Sequence, residues 1–273
     1  MRLLARTPCP LPDFRDEREH ADPARIISVG KGKKENPLLG RIVVLRHGGE
    51  ARPVITRGSP HLRFRTPSAK TGMTEVGEGR GEELLTMQCE VDGNVLNYKC
   101  HPYRFEIALG EKPFTYRPDL AILWRNGKIE IVEVKRTIDD LTSDDRAKLG
   151  WVREFVRRCG WRFNILYLEE IRGSRYREHN VARIFGRRSL ILSRSEQSLA
   201  KSIRAAGAPI EWGRLSTQIA EDDARHGNAV VECLIAKGWF TVDFDAAFSS
   251  ATILTPTRHV PRRSLPGFEG MFA

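Results

Sequence analysis

The sequence predicts an α/β protein, a mixed sheet flanked by helices with a smaller unit behind it, and three observations carry that expectation. β-prone runs at 121–124 and 129–132 flank the turn signal Asn126-Gly127, which marks a hairpin over 120–135. Leu149, Val152, Phe155 and Val156 recur at helical spacing behind a cap at Thr142 or Ser143 and the early acids Asp144 and Asp145, and the run ends near Gly160. Beyond 188, three short helical patterns precede two β-prone runs, the outline of a winged helix.

Taken in order, residues 1–40 read as a basic flexible arm and 41–45 as a short β-like run before a Gly- and Pro-punctuated stretch. From Met73 the pattern is helix-compatible through Glu82, Glu83, Leu84, Leu85 and Met87 to Val91, and Asp92-Gly93-Asn94 breaks it. Strands are expected at 95–99 and 103–108, then the hairpin, the capped helix, and a strand at 163–168. In the second unit, 195–206 is an amphipathic helix ended by Gly207 and Pro209. Helices at 215–220 and 230–237 and strands at 238–243 and 251–254 complete it. The resulting division is an arm over 1–40, a main domain over 41–188, a winged-helix-like domain over 189–257 and a loose tail over 258–273.

With 273 residues and 40% hydrophobic content the chain has enough apolar mass for ordinary cores. It contains no segment that reads as membrane-spanning. The start, MRLLARTPCPLPDF, lacks the apolar core of a signal peptide, so a cytoplasmic protein is expected. Cys9, Cys89, Cys100, Cys159 and Cys233 form no CxxC pair and read as reduced structural residues. The net charge of +10 is uneven: +8 over 1–70, +2 over 71–190 and zero over 191–273. Lys31-Gly32-Lys33-Lys34 suits DNA phosphates, and a solvated, partly disordered tail explains it nearly as well. The neutral C-terminal unit, with Glu221, Asp222, Asp223 and Glu232, suits protein contact at least as well as base readout.

The chemistry concentrates in Arg117-Pro118-Asp119 and Glu133-Val134-Lys135. Two carboxylates hold a hard divalent cation through oxygen, and a neighbouring lysine stabilises phosphate charge or helps to activate a water. Register decides whether they meet. A three-residue loop, Arg125-Asn126-Gly127, sets Asp119 opposite Glu133 on one face, whereas a two-residue Asn-Gly loop sets it opposite Val134; the three-residue loop is the expectation. The plainer alternative is an exposed ion pair between Glu133 and Lys135. His101 is either a phosphate contact or a structural hydrogen-bonding residue. Arg136, Arg153 and Arg157 are either DNA-backbone contacts or a solvated face, and Trp151, Trp161, Trp212 and Trp239 read as core.

Pro118-Asp119 with Glu133-Val134-Lys135 resembles the PD-(D/E)xK nuclease superfamily. Over about 52–171 the chain is similar to the TnsA-type endonuclease subunit of heteromeric transposases. Pro67-Ser68-Ala69-Lys70, Glu78-Gly79-Arg80-Gly81-Glu82, Val91-Asp92-Gly93-Asn94-Val95, His101-Pro102, Tyr116-Arg117-Pro118-Asp119 and Val132-Glu133-Val134-Lys135 carry this likeness in order. It departs from the family at His101, which stands where a Gln is usual, and at Gly79 and Gly81, which replace larger residues at a helix start. The resemblance implies a restriction-endonuclease-like sheet and a third acid on the upstream helix, Glu82 or one turn earlier Glu78. It also implies Mg²⁺ or Mn²⁺ held by Asp119, Glu133, the Val134 carbonyl and Glu82, with Lys135 orienting the attacking water. The partners it implies are double-stranded DNA, a DDE-type transposase subunit and an ATPase regulator, in a bacterial cytoplasm and at the nucleoid when active. The alternatives are a nuclease of restriction or junction resolution, and a non-catalytic DNA-binding assembly factor.

Overall fold

The computed structural model describes residues 23–29, 38–45, 62–109 and 112–269. Its elements run β1 (Pro23–Val29), β2 (Leu38–Leu45), β3 (Arg63–Pro67), β4 (Thr74–Glu78), α1 (Arg80–Val91), β5 (Val95–Cys100), β6 (Arg104–Leu109), β7 (Lys112–Tyr116), β8 (Leu120–Trp124) and β9 (Ile129–Lys135). There follow α2 (Ser143–Arg158), β10 (Arg162–Tyr167), α3 (Leu168–Arg172), α4 (Arg177–Gly186), α5 (Arg194–Ala206), β11 (Ile210–Glu211), α6 (Trp212–Ile219), α7 (Ala224–Ala236), β12 (Phe240–Thr241) and β13 (Ile253–Pro256).

The sheet that matters for the site has the order β10-β9-β8-β5, with β10 parallel to β9 and the other pairs antiparallel. Its central strands are apolar on both faces because helices cover both. Ala121, Leu123 and Ile131 share one face with Leu149, Val152, Phe155 and Val156 of α2. Leu120, Ile122 and Val132 point the other way, against Leu84, Leu85 and Cys89 of α1. A second, antiparallel sheet, β1-β2-β6-β7, adds Ile42, Val44, Phe105 and Ile107 to the α2 side.

The β8–β9 turn has the three-residue loop. Leu120 pairs with Val132, the Trp124 N–H donates to Lys128 O (2.9 Å), and Gly127 adopts φ 81°. Glycine takes that conformation without steric cost. α2 starts at a reciprocal cap: Thr142 Oγ1 accepts from the Asp145 N–H at 3.1 Å, and Asp145 Oδ2 accepts from the Thr142 N–H at 3.2 Å.

Several stretches differ from expectation. Residues 74–78 form β4, not the start of a helix, because they pair with β3 and bury Glu75. The strand β7 and the helices α3 and α4 have no counterpart in the sequence reading. Within the expected arm, 23–29 forms β1 on the edge of β2, while 1–22 and the Lys31–Lys34 run lie outside the described residues. The tail expected to be loose is anchored: Leu265 and Phe268 are fully buried in the α2-side core, and the Tyr103 hydroxyl donates to Pro266 O at 3.0 Å. Trp151 is 38% exposed and not core, because it lies on the outer face of α2; Trp212 is buried, and Trp161 packs on Tyr103.

The C-terminal unit joins α5, α6 and α7 to a small sheet of order β11-β13-β12. Its core begins upstream of residue 188, because Val181 and Ile184 of α4 and Val91 of α1 pack into it with Trp212, Leu234 and Phe240. Glu232, buried on α7, is held by Arg183 and Arg187. Among the described residues no helix is long and apolar enough to cross a membrane. Cys89, Cys100, Cys159 and Cys233 are free thiols, and Cys9 lies outside the described residues.

Candidate active site

Three strand and helix ends bring the acids together. The β8–β9 register, continued one step past Leu120 and Val132, sets Asp119 beside Glu133. Both are 7% exposed, so the pair that Glu133 makes with the half-buried Lys135 is not one between two exposed side chains. Asp119 Oδ2 accepts from the Val134 N–H at 2.7 Å, which ties the carboxylate to β9. In a strand the N–H and C=O of one residue point to the same side, so the Val134 carbonyl lies towards Asp119 as well. Pro118, next to Asp119, has no N–H with which to engage that carbonyl.

The third acid comes from the first turn of α1. Its two glycines have separate structural reasons. Gly79 is the N-cap residue at φ 84°, ψ 158°, a conformation open essentially to glycine alone. A Cβ on Gly81 would stand 2.7 Å from Val134 Cγ1, so only glycine lets α1 close onto β9. This approach carries Glu82, 8% exposed, to the site. Glu82 Oε2 accepts from the Glu78 N–H at 3.1 Å and lies 3.2 Å from His101 Nε2. Glu78 instead turns its carboxylate towards Arg63, at 3.7 Å. Of the two upstream acids, Glu82 is the one whose charge acts on Asp119.

Electrostatics follow from this crowding. Burial pushes the Asp119 carboxyl well above the usual carboxylate range, and the charges of Glu133 and then Glu82 push it further. The Val134 N–H and Lys135 oppose the shift without cancelling it. Lys135 Nζ lies 2.5 Å from Glu133 Oε1. Burial works against the Lys135 charge, but Glu133 and then Asp119 outweigh it and hold the ammonium above its ordinary value. These neighbours favour the charged form of Lys135. The Tyr116 hydroxyl donates to Glu133 Oε2; burial, then Glu133 and Asp119, keep that phenol protonated.

A cavity of about 320 Å³ opens beside this group, lined by Tyr116, Arg117, Glu133, Lys135, Asp145 and Lys148. Its three cations against two acids suit an anionic chain passing the carboxylates. Two larger depressions, about 750 and 770 Å³, lie on the C-terminal unit among other residues. Of the basic residues singled out in the sequence, Arg157 is bonded to Glu154, Arg136 lies 3.6 Å from Asp140, and Arg153 stands over Phe163. Arg117 and Lys148, neither of them singled out as a basic contact in the sequence, line the cavity. Sequence reasoning also missed Tyr116 as a Glu133 donor, although it stands three residues before Asp119 in the same motif.

Among the described residues no three His, Cys, Asp or Glu side chains converge tightly enough to cage an ion as they stand. Each carboxylate is turned onto a protein donor: Asp119 onto Val134, Glu133 onto Tyr116 and Lys135, Glu82 onto Glu78. The donor chemistry nonetheless fits a hard divalent cation. The charges of Glu133 and Glu82 press on the buried Asp119 carboxyl, and oxygen ligands of this kind are what Mg²⁺ and Mn²⁺ take. No family model matches the chain, and no curated protein matches it.

Proposed function

We propose that the chain is a divalent-metal-dependent DNA endonuclease of the PD-(D/E)xK kind. The observation that carries this is that the charges of Glu133 and Glu82 converge on the buried Asp119 and hold its carboxyl well above the usual range, with Lys135 bonded to Glu133. Asp119, Glu133, the Val134 carbonyl and Glu82 would hold Mg²⁺ or Mn²⁺. When bound, such an ion neutralises phosphate charge and acidifies an attacking water.

The chain's own residues do the rest. The Val134 N–H fixes one Asp119 oxygen, Tyr116 and Lys135 fix the two Glu133 oxygens, and the Glu78 N–H fixes one Glu82 oxygen. Lys135, kept protonated, orients the water and meets the developing negative charge; Arg117 and Lys148 line the approach of the strand. Hydrolysis leaves a 5′-phosphate and a 3′-hydroxyl.

The resemblance of the motifs extends the proposal. The sheet is read as restriction-endonuclease-like and the C-terminal unit as a winged-helix-like module with a protein-contact role. The subunit cuts the 5′ ends of a transposable element, beside a DDE-type transposase that cuts the 3′ ends and an ATPase regulator. The test is nicking of supercoiled plasmid with Mg²⁺ or Mn²⁺ by wild type and Asp119→Asn at matched folding. Ion-dependent nicking lost in the variant supports the nuclease. Equal nicking by both proteins removes it, and no nicking even with a neighbouring DDE recombinase favours an assembly factor.

A further inference from the structure

His101 is the one described non-glycine residue with a positive φ, 44°, and Pro102 restricts its backbone further. It is fully buried. Its N–H donates to the Asp119 carbonyl at 2.8 Å, which places the ring at the acid cluster. Nε2 comes within 3.2 Å of Glu82 Oε2, yet both ring nitrogens are buried without a hydrogen-bond partner among the described residues. The approach to Glu82 makes no hydrogen bond, and that oxygen already accepts from the Glu78 N–H.

A buried polar atom without a partner is costly, and so is a positive φ on a residue with a side chain. Both costs fall on one residue that touches two of the three acids. A structural histidine has its ring nitrogens bonded to protein; this one does not. A neutral imidazole nitrogen is a good ligand for Mn²⁺, Co²⁺ or Zn²⁺ and a poor one for Mg²⁺, which takes oxygen.

We propose that His101 Nε2 is a nitrogen donor to the divalent ion held by Glu82 and Asp119, and that it biases the site towards Mn²⁺ over Mg²⁺. This rests on the metal-dependent reading above and adds to it a fourth side chain and an ion preference.

The experiment is pulsed electron paramagnetic resonance of Mn²⁺ bound to the full chain without DNA, with Mn²⁺ affinity from titration and Mg²⁺ affinity from competition. Wild type should show ¹⁴N coupling to one Mn²⁺ whose binding is lost in Asp119→Asn. In His101→Gln and His101→Asn the coupling should vanish. Mn²⁺ affinity should fall by about 10-fold or more while Mg²⁺ affinity changes by less than about twofold. Asparagine tolerates a positive φ, so the second variant keeps the backbone, and the wild-type spectrum needs no variant. Mn²⁺ bound through Asp119 without nitrogen coupling, or equal losses for both ions, would overturn the proposal and leave the nuclease reading standing. Failure to bind Mn²⁺, or binding indifferent to Asp119→Asn, would overturn both.

Discussion

Two sets of buried carboxylates lie within a few residues of one another and behave oppositely. On one side of the protein, Glu75 meets Lys99 Nζ at 3.2 Å and the Cys100 N–H at 2.8 Å. Nearby, Glu90 accepts from Ser68 Oγ at 2.6 Å, the Ala69 N–H at 2.9 Å and the Tyr98 hydroxyl at 2.9 Å. In the other set, the charges of Glu133 and Glu82 act on the buried Asp119, which is forced towards its protonated form. Burial of charge is common to both, so burial is not the functional signal. The difference lies in compensation: Glu75 and Glu90 are met by several protein donors each, whereas burial and two neighbouring charges outweigh the Val134 N–H and Lys135 at Asp119, a site that a cation would complete under the proposed function.

The sharpest way to break this comparison is Asp119→Asn, with nicking expected to fall by about 10²- to 10³-fold or more. Stability without ions should move the other way. The ordinary carboxylate value is 3.8, and the folded Asp119 titrates well above it. From about pH 3.8 upward the native state therefore holds a proton that the unfolded chain has lost. Wild-type stability falls as pH rises through that window, and the amide removes that fall. Thermal melts from pH 4 to 8 should show the variant gaining on wild type as pH rises; a variant that loses ground would mean that Asp119 is compensated after all.

Glu75→Ala is the converse. Glu75 is fully buried and the Lys99 side chain is 1% exposed, so the substitution strands a buried ammonium. The expected cost is about 3–5 kcal/mol in urea denaturation, with nicking per folded molecule unchanged. If the activity of the folded fraction drops with it, the two sets are one network and the distinction fails.

Legibility in the sequence followed the range of the interaction. The β8–β9 hairpin, its three-residue loop and the α2 cap were readable because each is settled within a few residues, by Gly127 or by Thr142 and Asp145. The Asp119–Glu133 meeting followed from that register. Glu75 and Lys99 were not readable as a pair, since they are joined across 24 positions and each looks like an ordinary surface charge. Leu265 and Phe268 sit among Pro and Arg residues that read as a tail, and their burial depends on a core made by distant strands. Gly79 and Gly81 looked like weak helix formers. Only the N-cap conformation of Gly79 and the packing of Gly81 against Val134 show that they set the position of Glu82.

Smaller effects probe the border between the two sets. Tyr116→Phe removes the donor to Glu133 Oε2 and leaves the aromatic packing on Phe105 and Phe163 in place. A buried acceptor then loses its partner, at a cost of about 1–2 kcal/mol. Nicking should fall by about 10-fold, because Glu133 is freed to turn further onto Lys135. Unchanged nicking would place Tyr116 with the Glu75 and Glu90 set.

Thr142→Ala should have the smallest effect, about 1 kcal/mol of stability from the lost α2 cap. The first turns of α2 carry Asp145 and Lys148 to the cavity wall, but the acids themselves hang from α1, the turn before β8, and β9. Stability and nicking should therefore separate, with the melting point lowered and the rate per folded molecule kept. A rate that falls further than stability would show that α2, through Lys148, positions the nucleic acid strand, and the boundary of the Asp119 set would have to be drawn one helix wider.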